Sequence, residues 1–484
     1  MSGLLVKIFI SAISIFLCLQ FTCADKYCYK DEEEPYLFFA TKTSYEFIYN
    51  KSPLEEVPGC EPAQIWFVTR HGTRNPSDDE LRPLQELNPL RDEIMRNHDL
   101  RNNGELCYGD RENLKKWQLR TGKTMENTLT SQGQSEMRLL ARRMRTNFPS
   151  LFREGYMEDK FVFRHTEKPR TKESAEIFAK HLFGHDRISI PKGDKNDPLI
   201  KSYDACKNWD KLQDKSEAFK EVKLFEESNH VLSLIGRVSD RLGFKYNLTL
   251  DKIESIYDMC RYDKAWNVTA TSPWCAAFSK DELMVLEYLY DLRYYYKAGY
   301  GHEINVKLGC PMVKDMVQRF RQLAAELQNK GQAPSGRSQS SPRGVFYFTH
   351  SKALLMLLAR LGIAKDGKTL THADFSSTSA LGRKWRTSMI SPFAANLAVV
   401  FYNCPTGREG PQVMMYLQEK TVLYEGCNVG LCSWKSLEAK LASIADNCDL
   451  KFCEPGWSSA PRMSSSPLLL LSLVALFIAS YLII

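Results

Sequence analysis

Five residues carry most of the chemistry that this chain can do: Arg70-His71-Gly72-Thr73-Arg74, with Pro76 just beyond. Two guanidiniums flank one imidazole. Paired guanidiniums hold a tetrahedral oxyanion through charge-assisted, forked hydrogen bonds. A neutral imidazole between them is a nucleophile that can attack phosphorus. Gly72 lets the backbone pass close to a bound group. The spacing His-x-x-Arg is too common to mean much alone, and the context gives it weight. The preceding Gln64-Ile65-Trp66-Phe67-Val68-Thr69 is apolar, aromatic or β-branched with no helical period, and predicts a short buried strand. Active centres of open α/β sheets lie at the carboxyl ends of such strands.

The same arrangement recurs twice. Lys160-Phe161-Val162-Phe163 predicts a second strand, ending in Arg164-His165. A helix then opens at Arg170-Thr171-Lys172-Glu173-Ser174-Ala175 and runs to about 182, with Thr171 or a polar neighbour as its cap. Gly344-Val345-Phe346-Tyr347-Phe348-Thr349 predicts a third strand, ending in His350. A helix over 352–361 follows at once, closed by Gly362. Between the first two strands, Met137, Leu140, Ala141 and Met144 recur at helical spacing over 134–147, and Pro149 marks a stop. Residues 396–402 and 413–417 read as further strands. Residues 200–325 change character to amphipathic helices, such as 281–297 and 313–328. The Gly/Ser/Pro-rich stretch 331–342 reads as a flexible return. Strands alternating with helices predict an α/β fold: a mixed, mostly parallel sheet with helices on both faces, plus an inserted all-α domain.

The string at 70–74 resembles the histidine phosphatase superfamily, in its acid-phosphatase and phytase branch. That resemblance implies a phosphohistidine intermediate on His71, with Arg70 and Arg74 gripping the phosphoryl group. Arg170-Thr171-x-x-Ser174-Ala175 matches the superfamily pattern in which an arginine near a helix start joins the first two; helix N-termini favour anions in any case. His350 fills the superfamily's second-histidine position, where it would donate a hydrogen bond to a phosphoryl oxygen. Arg164 and Lys168 read as peripheral, and His302 and His372 as structural or surface residues. The stretch Gly133-Gln134-Ser135-Glu136-Met137-Arg138, with Phe148-Pro149-Ser150-Leu151-Phe152 after it, is similar to multiple inositol polyphosphate phosphatases. So are Ser272-Pro273-Trp274-Cys275-Ala276-Ala277-Phe278, Leu286-Glu287-Tyr288-Leu289 and Gly299-Tyr300-Gly301. The likeness runs from about 28 to about 455. It implies a histidine-phosphatase fold and hydrolysis of phytate and lower inositol polyphosphates, with 2,3-bisphosphoglycerate as a further substrate. It implies no metal or organic cofactor.

One departure stands out. In that subfamily the late histidine is followed by Ala-Glu, and the carboxyl protonates the leaving oxygen. Here the residues are His350-Ser351-Lys352. A lysine, with a pKa of ~10.4, is a poor proton donor unless strongly desolvated. Three readings follow. Lys352 is an additional substrate-binding cation while another carboxyl, such as Asp374, donates. Or activity is confined to good leaving groups. Or the protein is a non-catalytic surface binder of anionic ligands. A mutase would need controlled return of the phosphoryl group, and the secretory features below argue against it.

The rest of the chain bounds these readings. With 484 residues, 43% hydrophobic and 25% charged, it has the composition of a globular protein of two or three domains. A net charge of +7 is compatible with an anionic ligand, and no basic run interleaved with aromatics points to nucleic acid. Residues 1–24 have the form of a secretory signal. Residues 456–484 end in an uncharged apolar run, 468–484, spanning roughly 25 Å as a helix. With no basic residue after it, this reads as a GPI-attachment signal with the anchor near Ser458 or Ser459, the alternative being a plain tail anchor or a type I span. The domains expected are thus 25–200 (first part of the α/β core), 201–330 (helical insertion) and 331–455 (second part of the core). Of 14 cysteines, the 12 outside the signal would mostly pair in an oxidising compartment. Cys427/Cys432 and Cys448/Cys453 are near enough for local loops. Asn247 and Asn267 head glycosylation sequons. The expectation is a surface protein on a lipid anchor, acting on a small polyanion.

Overall fold

The strands are β1 (Glu61–Arg70), β2 (Phe161–His165), β3 (Gly344–Thr349), β4 (Asn396–Asn403), β5 (Gln412–Leu417), β6 (Lys420–Thr421) and β7 (Leu431–Ser433). They form one mixed, 7-stranded sheet in the order β2-β3-β1-β4-β5-β6, with β7 also on β5. The structure is a computed structural model, and it describes residues 28–29, 37–185, 187–329, 340–376, 381–404 and 410–455. The secretory signal, the core of the Gly/Ser/Pro-rich stretch and Ser458 lie outside these. The parallel part is β2, β3 and β1, the three strands that end in histidine-bearing strings. From β4 onward the pairings are antiparallel.

Side chains alternate across the sheet with period two. Trp66 and Val68 of β1, with Val345 and Tyr347 of β3, enter one apolar cluster. Ile65 and Phe67, with Phe346 and Phe348, enter the other. Helices α1 (Ser131–Asn147) and α2 (Pro169–Phe183) cover the second face. The first face is covered by α3 (Leu250–Trp266), α4 (Lys280–Ala298), α5 (Cys310–Gln328), α6 (Ser351–Leu361) and α7 (Trp434–Asp446). No strand lies between β2 and β3 among the described residues. The helices there share one continuous apolar cluster with the sheet. Trp66 reaches across from β1, its indole N–H donating to Asp315 of α5 at 2.8 Å.

One local expectation is corrected. Lys168, not Thr171, precedes α2, and no side chain caps it. Pro169 at the first helical position lacks the N–H that would need a cap, and the Thr171 hydroxyl turns back to the carbonyls of Thr166 and Lys168. α1 stops at Asn147, just before Pro149 as expected, and Pro149 opens a further short helix, Pro149–Phe152. Gly362 closes α6 in the left-handed region, with φ 78°.

All 12 cysteines among the described residues are paired: Cys28–Cys107, Cys60–Cys404, Cys206–Cys453, Cys260–Cys275, Cys310–Cys448 and Cys427–Cys432. Cys427–Cys432 is the local loop expected. Cys448 and Cys453 do not pair with each other; they fix the chain after α7 to α5 and to the segment before α3. No helix among the described residues is long and apolar enough to cross a membrane.

Candidate active site

The parallel register builds the site. Arg70 is opposite Thr349, so the next residues, His71 and His350, leave the sheet side by side. The His71 N–H donates to the Thr349 carbonyl at 3.1 Å, and the two imidazole rings stand 5.5 Å apart between centroids. On the other side of β3, His165 is opposite Phe348. That brings Thr166 beside His350, with Thr166 Oγ1 3.0 Å from His350 Nε2. Two helices, α2 and α6, begin at this same edge. Their unpaired N-terminal amides and dipoles make it electropositive.

His71 is 3% exposed. Its Nδ1 lies 2.8 Å from the Gly72 carbonyl oxygen. Only a protonated nitrogen can make that bond, so the proton is assigned to Nδ1 and the lone pair of Nε2 is free. Burial, then the charges of Arg170 and Arg70, then His350 and Arg74, hold the His71 pKa well below the ordinary imidazole value. The ring is a neutral base surrounded by cations.

Each arginine is fixed differently. Arg70 donates through Nη1 to the carbonyls of Thr41 and, at 2.9 Å, Ser391, and its guanidinium lies 4.4 Å from the Phe393 ring centroid. Arg74 donates to Glu80 and to the Asn75 carbonyl at 2.8 Å each, and to the Tyr262 hydroxyl at 3.1 Å. Arg170, at the start of α2, donates to Asn127 Oδ1 at 3.3 Å and to His350 Nδ1 at 3.4 Å. Burial is the largest cause that brings both Arg70 and Arg170 down to about 10, helped by repulsion from Arg74 and opposed by nearby tyrosines. The Nε groups of Arg70 and Arg170 are buried with no protein acceptor. A buried donor without an acceptor costs about 1–3 kcal/mol.

His350 accepts from Arg170 at Nδ1, so its own proton is on Nε2, which donates to Thr166. Burial, then Arg170, Lys201 and Lys352, hold its pKa well below the ordinary value.

His71, Arg70, Arg74, Arg170, His350 and Lys352 thus line one pocket, of about 280 Å³. Its wall also holds residues that sequence reasoning missed: Lys42, Glu80, Lys201, Asp204 and Tyr294. Lys168, expected to be peripheral, lines it too. It directly precedes Pro169 at the mouth of α2. Arg164 is turned away onto Asp197. Asp374 is elsewhere: it caps its own turn at Thr371 and pairs with Lys368, so it is no substitute acid. His302 and His372 are bonded to the Ala218 carbonyl and to Glu221. Asn247 and Asn267 are exposed, at the two ends of α3. No sequence signal marks Lys42 or Tyr294, because only packing brings them here.

The loop bearing His71 is held from below. Glu136 of α1 is 4% exposed and accepts from the Thr73 N–H and hydroxyl, both at 2.8 Å. The Gly72 N–H donates to Ser174 Oγ of α2 at 3.3 Å.

Comparison with known proteins agrees with this geometry. Residues 63–418 match the family model of the histidine phosphatase superfamily (branch 2). The chain is 34% identical over 465 residues to multiple inositol polyphosphate phosphatase 1 of Drosophila melanogaster, covering 94% of this chain and 95% of that one. It is 30% identical to the Homo sapiens protein of the same name, covering 85% and 87%. The crystal structure of the phytase from D. castellii superposes with a TM-score of 0.66 at 16% identity, covering 85% of this chain and 86% of that one; this likeness is one of fold. On these grounds, and with a neutral histidine set among three arginines at the end of β1, the chain belongs to the histidine phosphatase superfamily, branch 2, among the multiple inositol polyphosphate phosphatases.

Proposed function

We propose that the protein removes phosphate from inositol polyphosphates, phytate and its lower homologues, through a phosphohistidine on His71. The observation that carries this reading is the free Nε2 lone pair of His71 in a pocket lined by three arginines. A phosphoryl group suits this lining: its oxygens accept from the guanidiniums of Arg70 and Arg170. Arg74, locked by Glu80, completes the grip. The arriving negative charge favours protonation of His350, which then donates to the group in flight. Water afterwards hydrolyses the phosphohistidine. Lys42, Lys168 and Lys201 line the pocket as well, each paired with a carboxylate. Lys352, without an acidic partner among the described residues, contacts the substrate. The same chemistry extends to 2,3-bisphosphoglycerate.

Phosphate release from phytate by the purified protein, beside His71→Ala, tests this. Equal release from both would end it. One observation favours a second reading, in which the pocket binds anions without turnover: its carboxylates are already paired, Glu80 with Arg74 and Lys42, and Asp204 with Lys201. Phytate that binds but is never hydrolysed would establish that reading.

We place this activity at the outer cell surface. The dense disulfides and the exposed Asn247 and Asn267 support a secretory route, and the apolar C-terminal run supports a lipid anchor at Ser458. Release from cells by phosphatidylinositol-specific phospholipase C tests the anchor.

A further inference from the structure

The pocket contains a proton source that is not a carboxyl. Displacement of an alkyl alcohol from phosphorus leaves an alkoxide, which needs a proton as the bond breaks. The acidic side chains of the pocket are committed to cations, as described. Lys352 is not. Among the described residues its ammonium makes no ion pair and no hydrogen bond. It lies 4.3 Å from the Tyr203 ring centroid and 4.9 Å from that of Trp209. Aromatic faces hold a cation without accepting its protons, so the N–H groups stay available. Lys352 stands in the first turn of α6, two residues beyond His350, on the wall shared with His71.

We propose that Lys352 is the general acid that protonates the leaving alcohol; this rests on the phosphohistidine reading above. His71 Nε2 bonds to phosphorus as the P–O bond to the alcohol breaks. The bonding pair stays on the alcohol oxygen, which takes a proton from Lys352 Nζ. The alcohol leaves, and Lys352 is a neutral amine. That amine takes a proton from water as the water oxygen bonds to phosphorus. The N–P bond breaks and its pair returns to Nε2. One ester and one water become one alcohol and one phosphate, and His71 and Lys352 are restored.

The surroundings make this lysine a better acid than most. Burial and then Lys297, with Lys201, lower its pKa, while Asp204 and Tyr294 act the other way. Tyr203, Asp210 and His350 are further titratable neighbours. Tyr203 is excluded as donor, because burial raises its pKa far above the ordinary phenol value. Tyr294 is the competitor. Its hydroxyl accepts from Thr41, and giving up its proton would leave a phenolate anion beside the phosphoryl charge. Lys352 leaves no such charge.

The test compares two monophosphates, glycerol 2-phosphate and 4-nitrophenyl phosphate, whose leaving phenolate needs no proton. In Lys352→Met the ratio of alkyl to aryl kcat is expected to fall by about 100-fold, within the range typical of a general acid. In the wild type, kcat for the alkyl ester is expected to decline on the alkaline side while that for the aryl ester does not. This second readout needs no variant and so survives a Lys352→Met protein that fails to fold. An unchanged ratio, a shared alkaline limb, or a ratio that collapses in Tyr294→Phe instead would overturn the assignment while leaving phosphohistidine chemistry intact. A wild type that hydrolyses neither ester would overturn the phosphohistidine reading and this inference with it.

Discussion

Gly72 and Gly133 meet backbone to backbone: a Cβ on Gly72 would lie 2.6 Å from the Gly133 carbonyl oxygen, and one on Gly133 would lie 2.2 Å from the Thr73 carbonyl oxygen. The loop that carries His71 thus rests directly on the first turn of α1. Gly133→Ala must push the two apart. Overpacking of this kind costs about 1–3 kcal/mol. The effect on turnover should be larger, near 100-fold in kcat, since a shift of about 1 Å at a reacting group has that consequence. Urea unfolding and 4-nitrophenyl phosphate hydrolysis on the same preparation check both; an unaltered kcat would show that the loop tolerates displacement.

Glu136 supports the same loop by hydrogen bonds. Glu136→Ala leaves the Thr73 N–H and hydroxyl stranded, at about 1–3 kcal/mol for each group, whereas glutamine can still accept from the N–H. Burial pushes the Glu136 carboxyl up to about 7 against the bonds from Thr73. The folded chain therefore keeps a proton that the unfolded chain has lost. Its contribution to stability is present below the unfolded carboxylate range and fades as pH rises toward about 7. Glu136→Gln should flatten that slope in unfolding free energies measured between about pH 5 and about 7.

The pH dependence of turnover should follow His71. Its pKa is depressed by burial and by Arg170 and Arg70, so Nε2 stays unprotonated well below the usual imidazole range. Activity on 4-nitrophenyl phosphate should persist into acid and fail only when that depressed pKa is crossed. Stability follows a different course. As pH falls below about 6.5, the unfolded chain takes up protons that buried His71 and His350 refuse, so unfolding becomes easier. A rate profile with an acid limb at the ordinary imidazole pKa would contradict this picture.

Inorganic phosphate should stabilise the fold by binding the guanidiniums that line the pocket. At 100 times its Kd a ligand of the native state adds about 2.7 kcal/mol. Arg170→Ala should lose most of the resulting rise in Tm, and Arg164→Ala, whose side chain faces Asp197, should keep it. Thermal scans with and without phosphate separate the two.

What could be seen in the sequence was local. Uninterrupted apolar runs ending in Arg70-His71, Arg164-His165 and His350 announced the strands and the edge where they finish, because strand patterning needs only neighbouring residues. Residues that arrive through packing could not be seen. Lys42 comes from the arm before β1, Tyr294 from the middle of a helix, and the carbonyls of Thr41 and Ser391 that hold Arg70 carry no side-chain signature. Lys168 looked peripheral because its position at the mouth of α2 depends on where that helix starts. The bridges of Cys448 and Cys453 were hidden for the same reason: spacing along the chain suggested each other, and the fold supplied more distant partners.

Those distant partners have a consequence for the molecule as a covalent object. A protease cut anywhere between Cys310 and Gly344 would yield two polypeptides, one holding His71 and Arg170, the other His350 and Lys352. Cys60–Cys404, Cys206–Cys453 and Cys310–Cys448 would still tie them together. The nicked protein should migrate as one band without reductant and as two with it. It should keep working as a two-chain enzyme until those bridges are opened.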